Sequence, residues 1–78
     1  MITSAFPVAV RAIRQMHQLS QADLAAELGH SQGWCSRIEA GDREPSLADL
    51  ELLSHRYGLR LEHGEWHVGV LTTSETNS

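Results

Sequence analysis

Lysine is absent from this 78-residue sequence, cysteine occurs once, and no apolar run approaches the roughly 20 residues that a membrane span requires. Each absence excludes something. The lone Cys35 has no partner for an intramolecular disulfide and no second thiolate for a metal site, which fits a reducing compartment. The N-terminus has neither the basic start nor the apolar block of a secretory signal, so a soluble, cytoplasmic protein is expected. Without lysine, all six fixed positive charges are guanidinium groups, suited to bidentate contact with phosphate or guanine. A biased genome composition explains the missing lysines at least as well as selection for contact does.

The net charge of −4 argues at first against a polyanionic partner. Its distribution weakens that objection, because residues 1–60 hold all six arginines against seven acids, while residues 61–78 hold Glu62, Glu65 and Glu75 with no fixed base. A chain this short forms one domain with a modest core, so burial against a second copy is expected to add stability, and a homodimer follows.

Hydrophobic spacing organises most of the chain. From Ala5 to His17, Phe6, Val10, Ile13 and Met16 recur at three- and four-residue steps, the pattern of an amphipathic helix that Ser4 can cap and whose first turn tolerates Pro7. Ser20 and Asp23 form a capping box for a second helix with Leu24, Ala25 and Leu28 inward, and Gly29 stops it. After His30 and Ser31 a third helix spans Gln32 to Ala40, with Cys35 and Ile38 inward and Gly41 at its end. Ser46 and Asp49 open a fourth, carrying Leu47, Leu50, Leu53 and Tyr57 up to Gly58. The period then changes to two: Leu59 and Leu61, then Trp66, Val68 and Val70, alternate with polar or small residues about a turn at His63 and Gly64. This divides the chain into a helical unit over 1–58, a β segment over 59–71 and a polar tail over 72–78 that is expected to be disordered.

Two helices joined by a short glycine-containing turn, the second with polar residues on its outward N-terminal face, have the layout of a helix-turn-helix. Such a helix fits the major groove, where its N-terminus favours phosphate oxygens and its side chains reach base edges. The stretch from Ser20 to Ser46, with Ser-Gln-x-x-Leu-Ala opening helix two, Ser-Gln-x-aromatic-x-Ser-basic-Ile-Glu-x-Gly in helix three and Arg-x-Pro-Ser leading to helix four, resembles the Cro/CI (XRE-type) helix-turn-helix family, and the likeness runs over residues 10–60.

That resemblance implies a mainly α, lambda-repressor-like bundle of four or five short helices, followed here by the short β-strand or hairpin. It implies base reading by Ser31, Gln32, Gly33, Ser36 and Arg37, with Gln32 suited to adenine and Arg37 to guanine. Gln21 is implied to bond a phosphate and brace helix three, Trp34 to pack on the sugar-phosphate backbone or a thymine methyl, and Arg43 to anchor phosphate. Arg14 and Glu39 match positions that form a partly buried ion pair. The sequence departs from the family pattern twice. Gly33 lacks a side chain at a reading position and weakens the helix by up to ~1 kcal/mol relative to alanine. Gln18 stands where glycine is common, so its backbone must take a positive φ or turn differently.

Simpler readings stand beside these. Cys35 reads as a small buried hydrophobe rather than a redox sensor. The five histidines, including His55, His63 and His67, suggest metal, but their spacing crosses a turn; no metal or cofactor is expected. Carboxylate pairs such as Asp49 with Glu51 have no nucleophile or phosphate loop beside them, so no enzyme is expected. The expected function is a repressor or autoregulator binding an inverted-repeat operator as a homodimer. Its setting would be that of the antitoxin of a toxin-antitoxin pair, similar to HipB-like proteins, or of a phage or mobile-element repressor; a protein-interaction module that has lost DNA binding is the rival from another class. The strands need a surface to lie on, and Leu59, Leu61, Trp66, Val68 and Val70 are expected to meet a second copy across a twofold axis, the alternative being a hairpin folded onto its own helix four.

Overall fold

Four residues of positive φ, Gln18, Gly29, Gly41 and Gly58, and two capping boxes divide the helical part of the chain, as seen in a computed structural model that describes residues 1–69. The elements are β1 (Ile2–Thr3), α1 (Phe6–His17), α2 (Gln21–Glu27), α3 (Gln32–Ala40), α4 (Leu47–Tyr57), β2 (Arg60–Glu62) and β3 (Glu65–His67). Helices α2 and α4 each begin with reciprocal bonds, Ser20 with Asp23 and Ser46 with Asp49, all near 3 Å. Helices α3 and α4 end at Gly41 (φ 81°) and Gly58 (φ 71°), a conformation that suits a residue without a Cβ. Gln18 takes the first of its two options and sits at φ 56°, where a side chain is strained.

Helix α1 begins differently from expectation. Its N-cap is Ala5, and Thr3 rather than Ser4 supplies the nearby hydroxyl, with Thr3 Oγ1 accepting from Ala5 N at 3.0 Å. The core gathers Val10 and Ile13 from α1, Leu24 and Ala25 from α2, Trp34, Cys35 and Ile38 from α3, Leu53 from α4, and Leu59 and Val68 from the β segment. Leu47, expected on the inner stripe of α4, is 80% exposed, because the inward face of that helix runs through Asp49, Leu50 and Leu53.

The β segment requires a larger correction. Its strands lie on their own chain: β3 is central in a three-stranded antiparallel sheet ordered β1-β3-β2, with Ile2 opposite His67 and Leu61 opposite Trp66. Met1 and Val68 exchange backbone hydrogen bonds of 2.8 Å, which extend the pairing of the N-terminal segment. Leu59 and Val68 are buried in the common core, and Trp66 packs edge-on against Phe6 of α1 with ring centroids 5.0 Å apart. Leu59 and Val68 are therefore covered within their own chain, and Trp66 is partly covered there. The covering helix is α1 rather than α4, because the unforeseen β1 draws β3 to the start of α1. Leu61 remains 58% exposed. Val70 and the tail over 72–78 lie outside the described residues.

Candidate nucleic-acid interface

Helix α3 has an inner arc and an outer arc. Trp34, Cys35, Ile38 and Glu39 face inward, and Ser31, Gln32, Ser36 and Arg37 are exposed. Gln32 and Ser36 are four residues apart and so share a face, as do Gly33 and Arg37. The Arg37 guanidinium lies back over the first turn: a Cβ on Gly33 would stand 3.8 Å from Arg37 Nη1, at ordinary contact distance. The missing side chain at Gly33 thus leaves the first turn open to the arginine that follows it. Ser31 occupies the N-cap position with extended backbone but makes no side-chain cap bond, so its hydroxyl is not committed to the helix. Arg43 is exposed in the loop after Gly41.

Trp34 departs from its expected role on the sugar-phosphate backbone. It is 1% exposed, and its ring stacks on that of His30 at 4.4 Å with an interplanar angle of 7°. A side chain so enclosed has no face left for nucleic acid. Its burial has a physical cause, since α3 packs against both α2 and α1 and the buried arc is wider than the stripe of Cys35 and Ile38. The indole Nε1 is buried without a hydrogen-bond partner among the described residues.

His30 links the turn to the next helix. Its Nε2 lies 2.8 Å from Asp49 Oδ1, so one carboxylate caps α4 and holds the turn between α2 and α3. Burial by itself raises the Asp49 carboxyl, but the Ser46 N–H, His30 and the Ser46 hydroxyl together hold it below the usual range. Nothing in the hydrophobic period marks His30, because it stands outside both helices.

Behind the outer face lies a polar cluster centred on Glu39, whose side chain is 3% exposed. Arg14 donates through Nε to Oε2 at 2.5 Å and through Nη2 to Oε1 at 2.9 Å, a bidentate pair tying α1 to α3. Its third nitrogen donates to the Leu19 carbonyl at 3.2 Å, holding the α1–α2 connection. Gln21 donates to Glu39 Oε1 at 3.4 Å, and Gln32 donates to Gln21 Oε1 at 3.1 Å. Arg11, one turn before Arg14, also reaches within 3.5 Å of Glu39 Oε1. Burial alone would raise the Glu39 carboxyl; hydrogen bonds from Arg14, Gln21 and Cys35 outweigh it and hold the group below the usual carboxylate range. The opposite happens to Cys35, whose thiol is pushed up to about 12 by burial and by its bond to Glu39. It stays protonated and acts as a small buried group.

Among the described residues no three His, Cys, Asp or Glu side chains converge as a metal site would need, and no helix is long and apolar enough to cross a membrane. What the site offers is a short helix with an exposed polar N-terminal arc, set beside a second helix across a tight turn.

A family model described as helix-turn-helix matches residues 10–63. The chain belongs to the Cro/CI (XRE-type) helix-turn-helix family. No curated protein and no solved structure matches it. The matched span runs from Val10 within α1 through α2, α3, α4 and β2, so this XRE-type protein is a DNA-binding transcription regulator.

Proposed function

We propose that the protein is a repressor or autoregulator that reads an inverted-repeat operator as a homodimer, with Gln32, Ser36 and Arg37 at base edges, Ser31 and Gly33 at close backbone approach, and Gln21 and Arg43 on phosphates. The observation that carries this reading is the outer arc of α3, where Gln32, Ser36 and Arg37 are exposed on one helix and Gln32 is braced from behind by the Glu39 cluster. A duplex site read in this way shows affinity falling steeply with salt and a wide gap between specific and random sequence.

For the second copy, the β2 edge supports pairing. It is the outer strand next to β3, all three of its residues are exposed, and Arg60, Leu61 and Glu62 are self-complementary about a twofold at Leu61. Antiparallel pairing there sets Arg60 of one copy opposite Glu62 of the other, with the two leucines at the centre. Two recognition helices must then stand about 34 Å apart to meet successive major grooves. The antitoxin setting rests on the presence of a sheet beside the DNA-reading bundle, and pull-down of the product of the adjacent reading frame decides between it and a phage or mobile-element repressor.

Selection from a randomised duplex library, followed by sedimentation of the selected complex, tests the proposal. The expected result is a palindromic motif bound by two chains, with Leu61→Arg reducing the complex to one chain. Recovery of no motif would show that the fold is kept here for protein contacts alone.

A further inference from the structure

The start of α1, the α3–α4 loop and β3 leave a cleft between them of about 360 Å³, at the lower end of the range for small-molecule sites. Its walls are apolar. Phe6 and Pro7 come from α1, Trp66 from β3, Pro45 from the loop and Leu50 from α4, and each is half-buried, with part of its apolar surface left to the cleft. Phe6 and Trp66 meet edge to face, which fixes both rings.

Two opposite charges stand on the rim. Arg43 and Glu44 both line the cleft and are exposed, and among the described residues neither makes an ion pair, with the other or with a third group. Four other arginines are committed: Arg11 and Arg14 to Glu39, Arg56 to Glu27, and Arg60 to Glu62. An apolar cleft edged by one unpaired cation and one unpaired anion matches a zwitterion with an apolar body. A guanidinium takes a carboxylate through two parallel bonds, a carboxylate takes an ammonium, and the apolar body gains by leaving water. We propose that this cleft binds a free α-amino acid with an apolar side chain, its carboxylate on Arg43, its ammonium on Glu44 and its side chain against Phe6 and Trp66.

Arg43 is also the residue placed on a phosphate under the proposed function, so the amino acid and the DNA backbone compete for one guanidinium. Amino-acid binding therefore lowers operator affinity, and by linkage DNA lowers amino-acid affinity by the same factor. This competition rests on the phosphate reading of Arg43; occupation of the cleft does not.

The indole N–H resonances of the free chain read the cleft directly, because Trp66 lines it while Trp34 is enclosed in the core, and Trp66→Phe assigns the two signals. L-phenylalanine and L-leucine are expected to shift the Trp66 signal to saturation and leave that of Trp34 in place. L-alanine, phenylalaninamide and N-acetyl-phenylalanine, which lack the apolar body, the carboxylate and the ammonium in turn, should bind about tenfold more weakly. Arg43→Ala and Glu44→Gln, both in the exposed loop, should each weaken L-phenylalanine by about the same factor. No Trp66 shift up to the solubility of either amino acid would overturn the inference, and so would a shift that neither the missing charges nor the two variants affect.

On a selected operator, L-phenylalanine should lower affinity several-fold and reduce the salt slope by about one, the loss of a single phosphate contact, and should do neither in Arg43→Ala. Operator affinity that stays unmoved with the cleft saturated would overturn the competition. Failure of the unaltered chain to select any operator would instead defeat the operator reading, and the Trp66 titration would still decide the cleft by itself.

Discussion

The inner and outer arcs of α3 are built on different terms. On the inner arc Trp34, Cys35 and Ile38 are enclosed, Trp34 against the His30 ring, and Glu39 has its charge matched by Arg14. On the outer arc Ser31, Ser36 and Arg37 have exposed side chains, and only Gln32 among the readers is tied down, by Gln21. Stability and the proposed readout thus fall to opposite sides of α3 and its N-cap. Substitutions on one side should leave the other function standing.

The sharpest contrast is expected at Trp34. Truncation to alanine empties an enclosed site and should cost about 3 to 5 kcal/mol, a large part of the stability of so small a domain. Trp34→Phe keeps an aromatic ring against His30 and removes the unpartnered N–H, so its cost should stay well below that of alanine. Urea unfolding of the two variants measures the difference. Similar large losses would mean that the indole N–H has a partner after all.

The Glu39 pair comes next. Removing one member of a buried ion pair strands the other, so Glu39→Ala should cost roughly 3 to 5 kcal/mol, while Glu44→Ala in the exposed loop should stay within about 0.5 kcal/mol. The pair also sets an acid limit. Because the Glu39 and Asp49 carboxyls are held below their ordinary values in the folded chain, their stabilisation is complete above the unfolded carboxylate range near pH 4 and is lost as pH falls through the lower folded values. Melting temperature should therefore drop on acidification below about pH 4. Glu39→Gln, which has no carboxylate to protonate, should show a shallower drop.

Crossing to the outer arc, Arg37→Ala should cost about 1 to 3 kcal/mol of specific DNA binding and relax one base pair, whereas Arg43→Ala should weaken all sequences alike. Neither should move the unfolding midpoint beyond a surface substitution's range. The smallest effect is expected at Gly33. A methyl group there meets only ordinary contacts, so Gly33→Ala should raise stability by up to about 1 kcal/mol, and any loss of DNA affinity reports the space that Arg37 or the DNA backbone uses. A destabilised Gly33→Ala would show that the first turn is not free.

The difference between the arcs also explains what could be read from sequence. Helix bounds were legible because their signals are local: the boxes at Ser20 and Ser46, and the glycines at 41 and 58. The outer arc was legible only through the family pattern, since exposed polar residues carry no period of their own. Trp34 was misplaced because a stripe drawn through Cys35 and Ile38 underestimates the arc buried when a short helix has neighbours on two sides. Two-residue β1 has no alternation to detect, and without it the hairpin seemed to lack a surface within its own chain. The Glu39 cluster joins residues from three helices; its Arg14 partner was implied by resemblance, but Arg11 and the direction of the Gln21–Gln32 bond needed coordinates.

The account stands or falls on whether the outer arc of α3 reads sequence. The direct measurement is the ratio of affinities for a selected operator and a scrambled duplex of equal length and salt, for the unaltered chain and for the Gln32→Ala, Arg37→Ala double variant. The account predicts that the ratio collapses toward one in the double variant while residual salt-dependent binding and the melting temperature persist. An undiminished ratio in a folded double variant would contradict it.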